Sequence, residues 1–419
     1  MSERNNSWKL VAMLCATATA GYICRVNVST AAPLLMEEFG LTQIQMGRIF
    51  SSFLLGYALF QVPSGALADK FGARKVLMWA SALWFLLTLI QVFVGIGIFQ
   101  FSVISALTLF MVLRMVLGIT ASPTYPGSAQ GVSRWVPRAM QGRANGIVIA
   151  SIGLGSAIAP PLVSGIMVNT GWRLALVISA VPAILITILW FWVNPGIAQT
   201  QDRSALRDAG PQEPDPDRGW LRKPGFWLLT LSYTLQGYVG YIFVTWFYLY
   251  LVQERHFGLL SGAWMSSLPW ILSIVSIPLG GYISDRLARG RAGEKWGSRI
   301  VPMTGMLTSG VLISVGAHTG NAVLAAICLA FATAFILSVE GPFWAMMMRL
   351  SGNRSGTGGG IMNMGSNIGG LISPALTPVI ASLLGWENAL HVAAVLAVAG
   401  GLLWIWIRRE YPQTQSNPE

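Results

Sequence analysis

Along the 419 residues, short polar clusters alternate with long apolar runs. The runs fall at 9–34, 43–65, 75–99, 102–124, 144–168 and 172–194, and again at 225–252, 260–284, 300–318, 321–347, 358–384 and 388–408. About 20 apolar residues suffice for a helix to cross the hydrocarbon core of a bilayer. The pattern therefore predicts an all-α membrane protein with twelve transmembrane helices. Between the two sets of six lies "GIAQTQDRSALRDAGPQEPDPDRGW", a polar stretch rich in Pro and Asp that reads as an exposed linker. We expect one six-helix bundle at 1–195, a linker at 196–223 and a second bundle at 224–419.

The two sets repeat each other. At an offset of 216, Gly21-Tyr22 maps onto Gly237-Tyr238, Gly65 onto Gly281, Asp69 onto Asp285, Pro126 onto Pro342 and Gly153 onto Gly369. A parallel repeat of two six-helix halves is a carrier architecture, with its binding site between the halves near the membrane midplane.

Composition agrees with this reading. Hydrophobic residues make up 54% of the chain and charged ones 10%, against about 25% charged in soluble domains. The formal net charge of +11 invites a nucleic-acid reading, but its distribution argues for orientation instead. Arg48, Arg173 and Arg255 fall near one side, Arg25 and Arg114 lie inside apolar runs, and the other Lys and Arg of the 27 gather on the opposite side. By the positive-inside rule that side, with both termini, is cytoplasmic in an inner membrane. Cys15, Cys24 and Cys328 sit in apolar runs, so neither a disulfide nor a metal site is implied. His256, His318 and His391 fall near outer loops, which leaves no mid-membrane histidine relay. "MSERNNSWK" resembles a signal-peptide n-region, but the following run is long and contains Arg25, so it reads as an uncleaved first helix. Without a GxxxxGK[ST] loop, an ATP-driven pump is not expected. No catalytic constellation, cofactor site or signalling domain is evident. Neither an enzyme nor a sensor is expected, and the chain reads as a monomer in the lipid bilayer.

Two loops carry mechanism. "GALADKFGARK" at 65–75 and "GYISDRLARGR" at 281–291 each place a Gly, an Asp and several bases after a helix. Gly65, Asp69 and Arg74, with Asp285 and Arg286, are gate candidates, because an Asp there can accept hydrogen bonds from a neighbouring helix end or an Arg. These loops resemble the signature loop of the major facilitator superfamily. "CRVNVSTAAP", "RMVLGITASPTYP", "SLPWI", "GPFWA" and "GGIMNMGSNIGG" are similar to its anion:cation symporter branch, which includes sugar-acid, hexuronate, phthalate and sialin-type carriers.

Arg25 is the sharpest anomaly. A central Arg costs roughly 2.5–3.5 kcal/mol on insertion scales, so it needs a cavity or a partner. Its planar fork suits a carboxylate substrate. A permanent acidic partner is the alternative, yet only Glu340 lies deep in an apolar run, against two cations, Arg25 and Arg114. The excess of positive charge favours a bound organic anion, and the resemblance points the same way. Tyr57 and Gln61 share a face of the second helix, and Tyr22 shares one with Arg25. Tyr57 also matches a substrate-contacting tyrosine of the sugar-acid carriers. Asn363, Ser366 and Asn367 share a face of the eleventh helix, while Trp344 and Tyr241 are further candidates. Each could instead serve packing.

The resemblance breaks at one point. Proton-coupled relatives carry an Asp before the first-helix Arg and a Glu seven residues after the fourth-helix Arg; here those positions are Cys24 and Ala121. Glu340 is the remaining candidate for coupling to a proton, and Arg114 has a structural or coupling role in prospect. The expectation is a secondary transporter of a small organic anion, a sugar acid or related carboxylate, working by alternating access. Uniport or exchange of organic anions, and efflux of a drug- or siderophore-like compound, are the alternatives.

Overall fold

The computed structural model describes residues 2–96, 103–193, 221–290, 293–351 and 355–407. Most of the expected linker at 196–223 lies outside the described residues. The first half contains α1 (Ser2–Phe39), α2 (Gln43–Phe71), α3 (Ala73–Val92), α4 (Val103–Ala121), α5 (Thr124–Trp135) and α6 (Arg138–Trp192). The second contains α7 (Pro224–Thr245), α8 (Phe247–Gln253), α9 (Leu259–Arg289), α10 (Gly293–His318), α11 (Ala322–Ser338), α12 (Glu340–Ser351), α13 (Ser355–Leu384) and α14 (Trp386–Leu403). Among the described residues there is no strand.

These fourteen helices make twelve crossings, and the differences have local causes. The 55-residue α6 is too long for one crossing, at 1.5 Å per residue. It turns back at Gly171, whose φ of 81° suits glycine, so it carries the fifth and sixth spans. The seventh span, α7 with α8, bends by 51° at Trp246. There Thr245 Oγ1 bonds back to the Tyr241 carbonyl at 2.7 Å, a side-chain contact that bends helices.

The fourth span breaks between α4 and α5 at Ser122-Pro123, and the tenth between α11 and α12 at Val339. A proline ring clashes with the carbonyl four residues earlier. For Pro126 and Pro342 that carbonyl belongs to Ser122 and Ser338, so the repeated prolines put the same break into both halves.

Within the first half α1 packs on α6 and α2 on α4; within the second α7 packs on α13 and α10 on α14. Close approach requires bare backbone. A Cβ on Gly56 would strike the Met115 carbonyl, and one on Gly118 the Phe53 carbonyl.

The seam between halves is made by α2 against α13 and α6 against α9. It is sealed at the end carrying the α1–α2 turn. Gln43 Nε2 donates to Gln253 Oε1 at 3.0 Å and Ser51 Oγ to the Leu371 carbonyl at 2.9 Å. Ser267 Oγ donates to the Ala157 carbonyl at 2.6 Å, and Gly47 lies flat on the Pro374 carbonyl.

The signature loops sit at the opposite end. Asp69 Oδ1 accepts from Gln130 Nε2 at 3.1 Å, tying α2 to α5, while Gly65 faces Pro126. Arg74 donates to the carbonyls of Trp190 and Phe191 and so caps the end of α6. In the second loop, among the described residues, Asp285 pairs with Arg289 at 4.0 Å on the same helix, and Arg286 is exposed. Arg299 instead caps the chain after α14, donating to the carbonyls of Ile405 and Ile407.

Candidate functional site

Arg25 projects from the middle of α1 and is 8% exposed. Its neighbours come from three helices. Tyr22, one turn earlier on the same face, accepts from Nη1 at 3.1 Å. Tyr241 of α7 accepts from Nη2 at 2.8 Å. The guanidinium also lies 5.0–5.5 Å from the ring centres of Tyr22, Phe53, Tyr57 and Tyr241. Cation–π contacts of this kind contribute about 0.5–2 kcal/mol each. Neutral phenols and ring faces therefore offset part of the cost of burying the charge. They do not neutralise it.

Arg114 of α4, 3% exposed, also lies against Phe53, 4.8 Å from its ring centre. It donates to the backbone carbonyls of Arg25 at 3.0 Å and Cys24 at 3.5 Å, and its Nε has no partner among the described residues. Arg114 thus fixes the α1 backbone from which Arg25 projects. Among the described residues, no carboxylate lies within ion-pair distance of either guanidinium. Both line a small pocket toward the sealed end, with Ser29, Phe50, Leu54 and Thr245.

The polar residues expected on α2 and α13 do meet, across the seam. Gln61 Oε1 accepts from Asn363 Nδ2 and Asn367 Nδ2, both at 3.0 Å, while Gln61 Nε2 donates to Tyr57 Oη at 3.4 Å. Ser366 packs instead on Gly237, where a Cβ would not fit. Glu340, the first residue of α12, accepts from Trp344 Nε1 at 3.0 Å and from the Tyr233 hydroxyl. It is bound by its own half and does not clasp Arg25.

Two residues of this arrangement escaped the sequence reading. Phe53 had an available signal, since it lies one helical turn before Tyr57. Tyr233 had none: its distance from Glu340 along the chain conceals their contact. The arrangement offers a fixed cation and aromatic faces in one half and a hydrogen-bonded carboxylate in the other, which can hold an anion but presents no nucleophile aligned with a base.

The fold is that of a multi-span membrane protein built from two repeated six-span halves around a central polar layer. The family described as the Major Facilitator Superfamily matches residues 13–364 and 287–419, and the chain belongs to it. It is a transporter family, not an enzyme family. The chain is 30% identical over 411 residues to a probable sulfoacetate transporter of Cupriavidus necator, covering 95% of this chain and 93% of that one. It is 28% identical to a hexuronate transporter of Bacillus subtilis, covering 94% and 92%. A bacterial homologue of the human lysosomal transporter Spinster, solved in an inward-facing, occupied conformation, has the same fold. That match has a TM-score of 0.76 at 16% identity and covers 96% of this chain and 97% of that one.

Proposed function

We propose that the protein is a secondary transporter of a small organic anion, a sugar acid or related carboxylate, in an inner membrane with both termini cytoplasmic. One observation carries this reading: Arg25 is buried at the seam among phenols and ring faces, with no carboxylate at ion-pair distance among the described residues. A travelling acid group supplies the missing charge, and the guanidinium fork binds it through two parallel hydrogen bonds. Tyr22, Tyr57 and Tyr241 orient the fork. Gln61, Asn363 and Asn367 exchange their mutual hydrogen bonds for substrate hydroxyls, and Trp344 supplies an apolar wall. Ser366 permits close helix approach beside them. The two named relatives carry, by name, a sulfonated acetate and hexuronates, which share an acid group on a short polar skeleton.

Alternating access supplies the movement. The seal at the α1–α2 end corresponds to a state open to the cytoplasm, and rocking of the halves breaks it. Asp69, Arg74, Asp285 and Arg286 act at the opposite end. Glu340 couples the cycle to a proton, taking the place of the carboxylates absent at Cys24 and Ala121. Arg114 holds the α1 backbone in place.

The test is a thermal-shift panel of organic acids on purified protein, followed by counterflow in proteoliposomes with any acid that stabilises it. Arg25→Ala should remove both the shift and the counterflow. Binding retained at wild-type strength by Arg25→Ala would overturn the assignment of the anchor.

A further inference from the structure

The sealed end of the second half carries a cluster that the transport site does not use. His318 is the last residue of α10; Glu387 and His391 lie one turn apart at the start of α14. His318 Nδ1 is 2.6 Å from Glu387 Oε1, and His391 Nε2 is 3.6 Å from the same oxygen. The three candidate ligand atoms all lie within 4.8 Å of one another.

The corresponding turn of the first half shows what is unusual here. Gly171-Trp172 and Gly385-Trp386 share a sequence and a left-handed glycine, with φ of 81° and 86°. The next residue is Arg173 in one half and Glu387 in the other. Arg173 is paired with Glu38 at 2.5 Å, and Trp172 Nε1 donates to the same carboxylate. That turn is closed by its own charges. The second-half turn has the opposite sign and sets its carboxylate between two imidazoles.

We propose that His318, Glu387 and His391 bind a divalent transition-metal cation of the zinc or nickel type. Two imidazoles and a carboxylate are a donor set these cations take, with water completing the shell. Metal–ligand bonds of about 2.0–2.2 Å set neighbouring donors about 3 Å apart. The close His318–Glu387 pair must therefore open slightly and the widest pair close. Both need only side-chain rotation, because the three side chains are 81%, 50% and 37% exposed.

The remaining geometry is prepared. The i,i+4 spacing puts Glu387 and His391 on one helix face. Ser314 Oγ lies 3.4 Å from His391 Nδ1, an outer contact of the kind that orients a metal-bound ring and leaves Nε2 for the ion. The neighbouring cation, Arg255, donates to the carbonyls of Gly316, Ala317 and Thr319 and to Tyr250, so its guanidinium is engaged elsewhere than on the carboxylate. A bound ion ties α10 to α14 within one half and leaves the seam alone.

The test uses the full chain with an affinity tag free of histidine, in metal-free detergent buffer. Equilibrium dialysis should find one zinc or nickel ion bound per chain at micromolar concentration. Thermal unfolding should move upward by several degrees with zinc or nickel and not with magnesium. Both effects should vanish in His391→Ala and in Glu387→Gln and persist in Arg25→Ala. Failure to bind zinc or nickel, binding unchanged in both variants, or a stability change that follows pH alone would overturn the proposal.

Discussion

At offset 216 the first half places an arginine, Arg25, where the second half has Tyr241, and these two equivalent residues hydrogen-bond to each other at 2.8 Å. Arg114 likewise corresponds to Ala330. The first half thus contributes two cations at the level of the seam and the second contributes Glu340, held by Tyr233 and Trp344. Two backbones of one design have divided the charge between them. The anion proposed to bind Arg25 would therefore sit against phenols of both halves, where its presence could alter how the halves meet. A repeat with identical charge on both sides would repel itself at the seam.

The strongest way to break this comparison is to exchange its members, Arg25→Tyr with Tyr241→Arg. The total charge and the partner types are kept, but the cation loses Arg114's hold on its backbone. Truncating one partner of a buried charged pair costs about 2–5 kcal/mol, so we expect substrate binding to weaken by about 30-fold or more. The checks are thermal-shift titration and counterflow. Near-native binding in the exchanged protein would show that the identity of the half is irrelevant.

Glu340→Gln sharpens the other side. Gln keeps an acceptor for Tyr233 and Trp344 and removes the charge and the titratable proton. If Glu340 couples the cycle, uptake driven by a pH gradient should fall about tenfold, corresponding to about 1.4 kcal/mol, while counterflow without a gradient survives. Equal gradient-driven accumulation by Glu340→Gln and wild type would reduce the carboxylate to a structural acceptor.

Much of this layout could be read before any coordinates. The twelve crossings, the repeat and the family follow from hydropathy spacing and short motifs, because a membrane span demands a continuous apolar length. The breaks were harder. Pro126 and Pro342 were visible as a repeated pair, but their effect falls four residues earlier, at Ser122 and Ser338. The Thr245 bend depends on a side-chain rotamer that composition does not reveal. For the site, Arg25 announced itself through its cost in an apolar run. The contacts of Gln61 with Asn363 and Asn367 did not, since they join residues about 300 positions apart and depend on how two halves dock. The charge inversion after the two Gly-Trp turns was present in the sequence all along. It became informative only when His318, from another helix, was found beside Glu387.

The mildest intervention concerns that docking. Gln61 Oε1 is the only atom that gathers both α13 asparagines onto α2 among the hydrogen bonds described, and it does so one turn from Tyr57. In Gln61→Ala both bonds are lost. Each is worth about 0.5–1.5 kcal/mol net, with water taking up part of the loss at a half-exposed layer. If the halves alternate as proposed, the bridge belongs to the conformation sealed at the α1–α2 end, and its removal should shift the equilibrium toward the opposite conformation by about 1 kcal/mol, about fivefold. Spin-label distances across α2 and α13 at that end should lengthen in proportion. Arg25 should remain in place, so substrate affinity should change less than in Arg25→Ala or the Arg25–Tyr241 exchange. An unchanged distance distribution would mean that the seam is held by backbone packing such as Gly47 on Pro374, with Gln61 incidental to it.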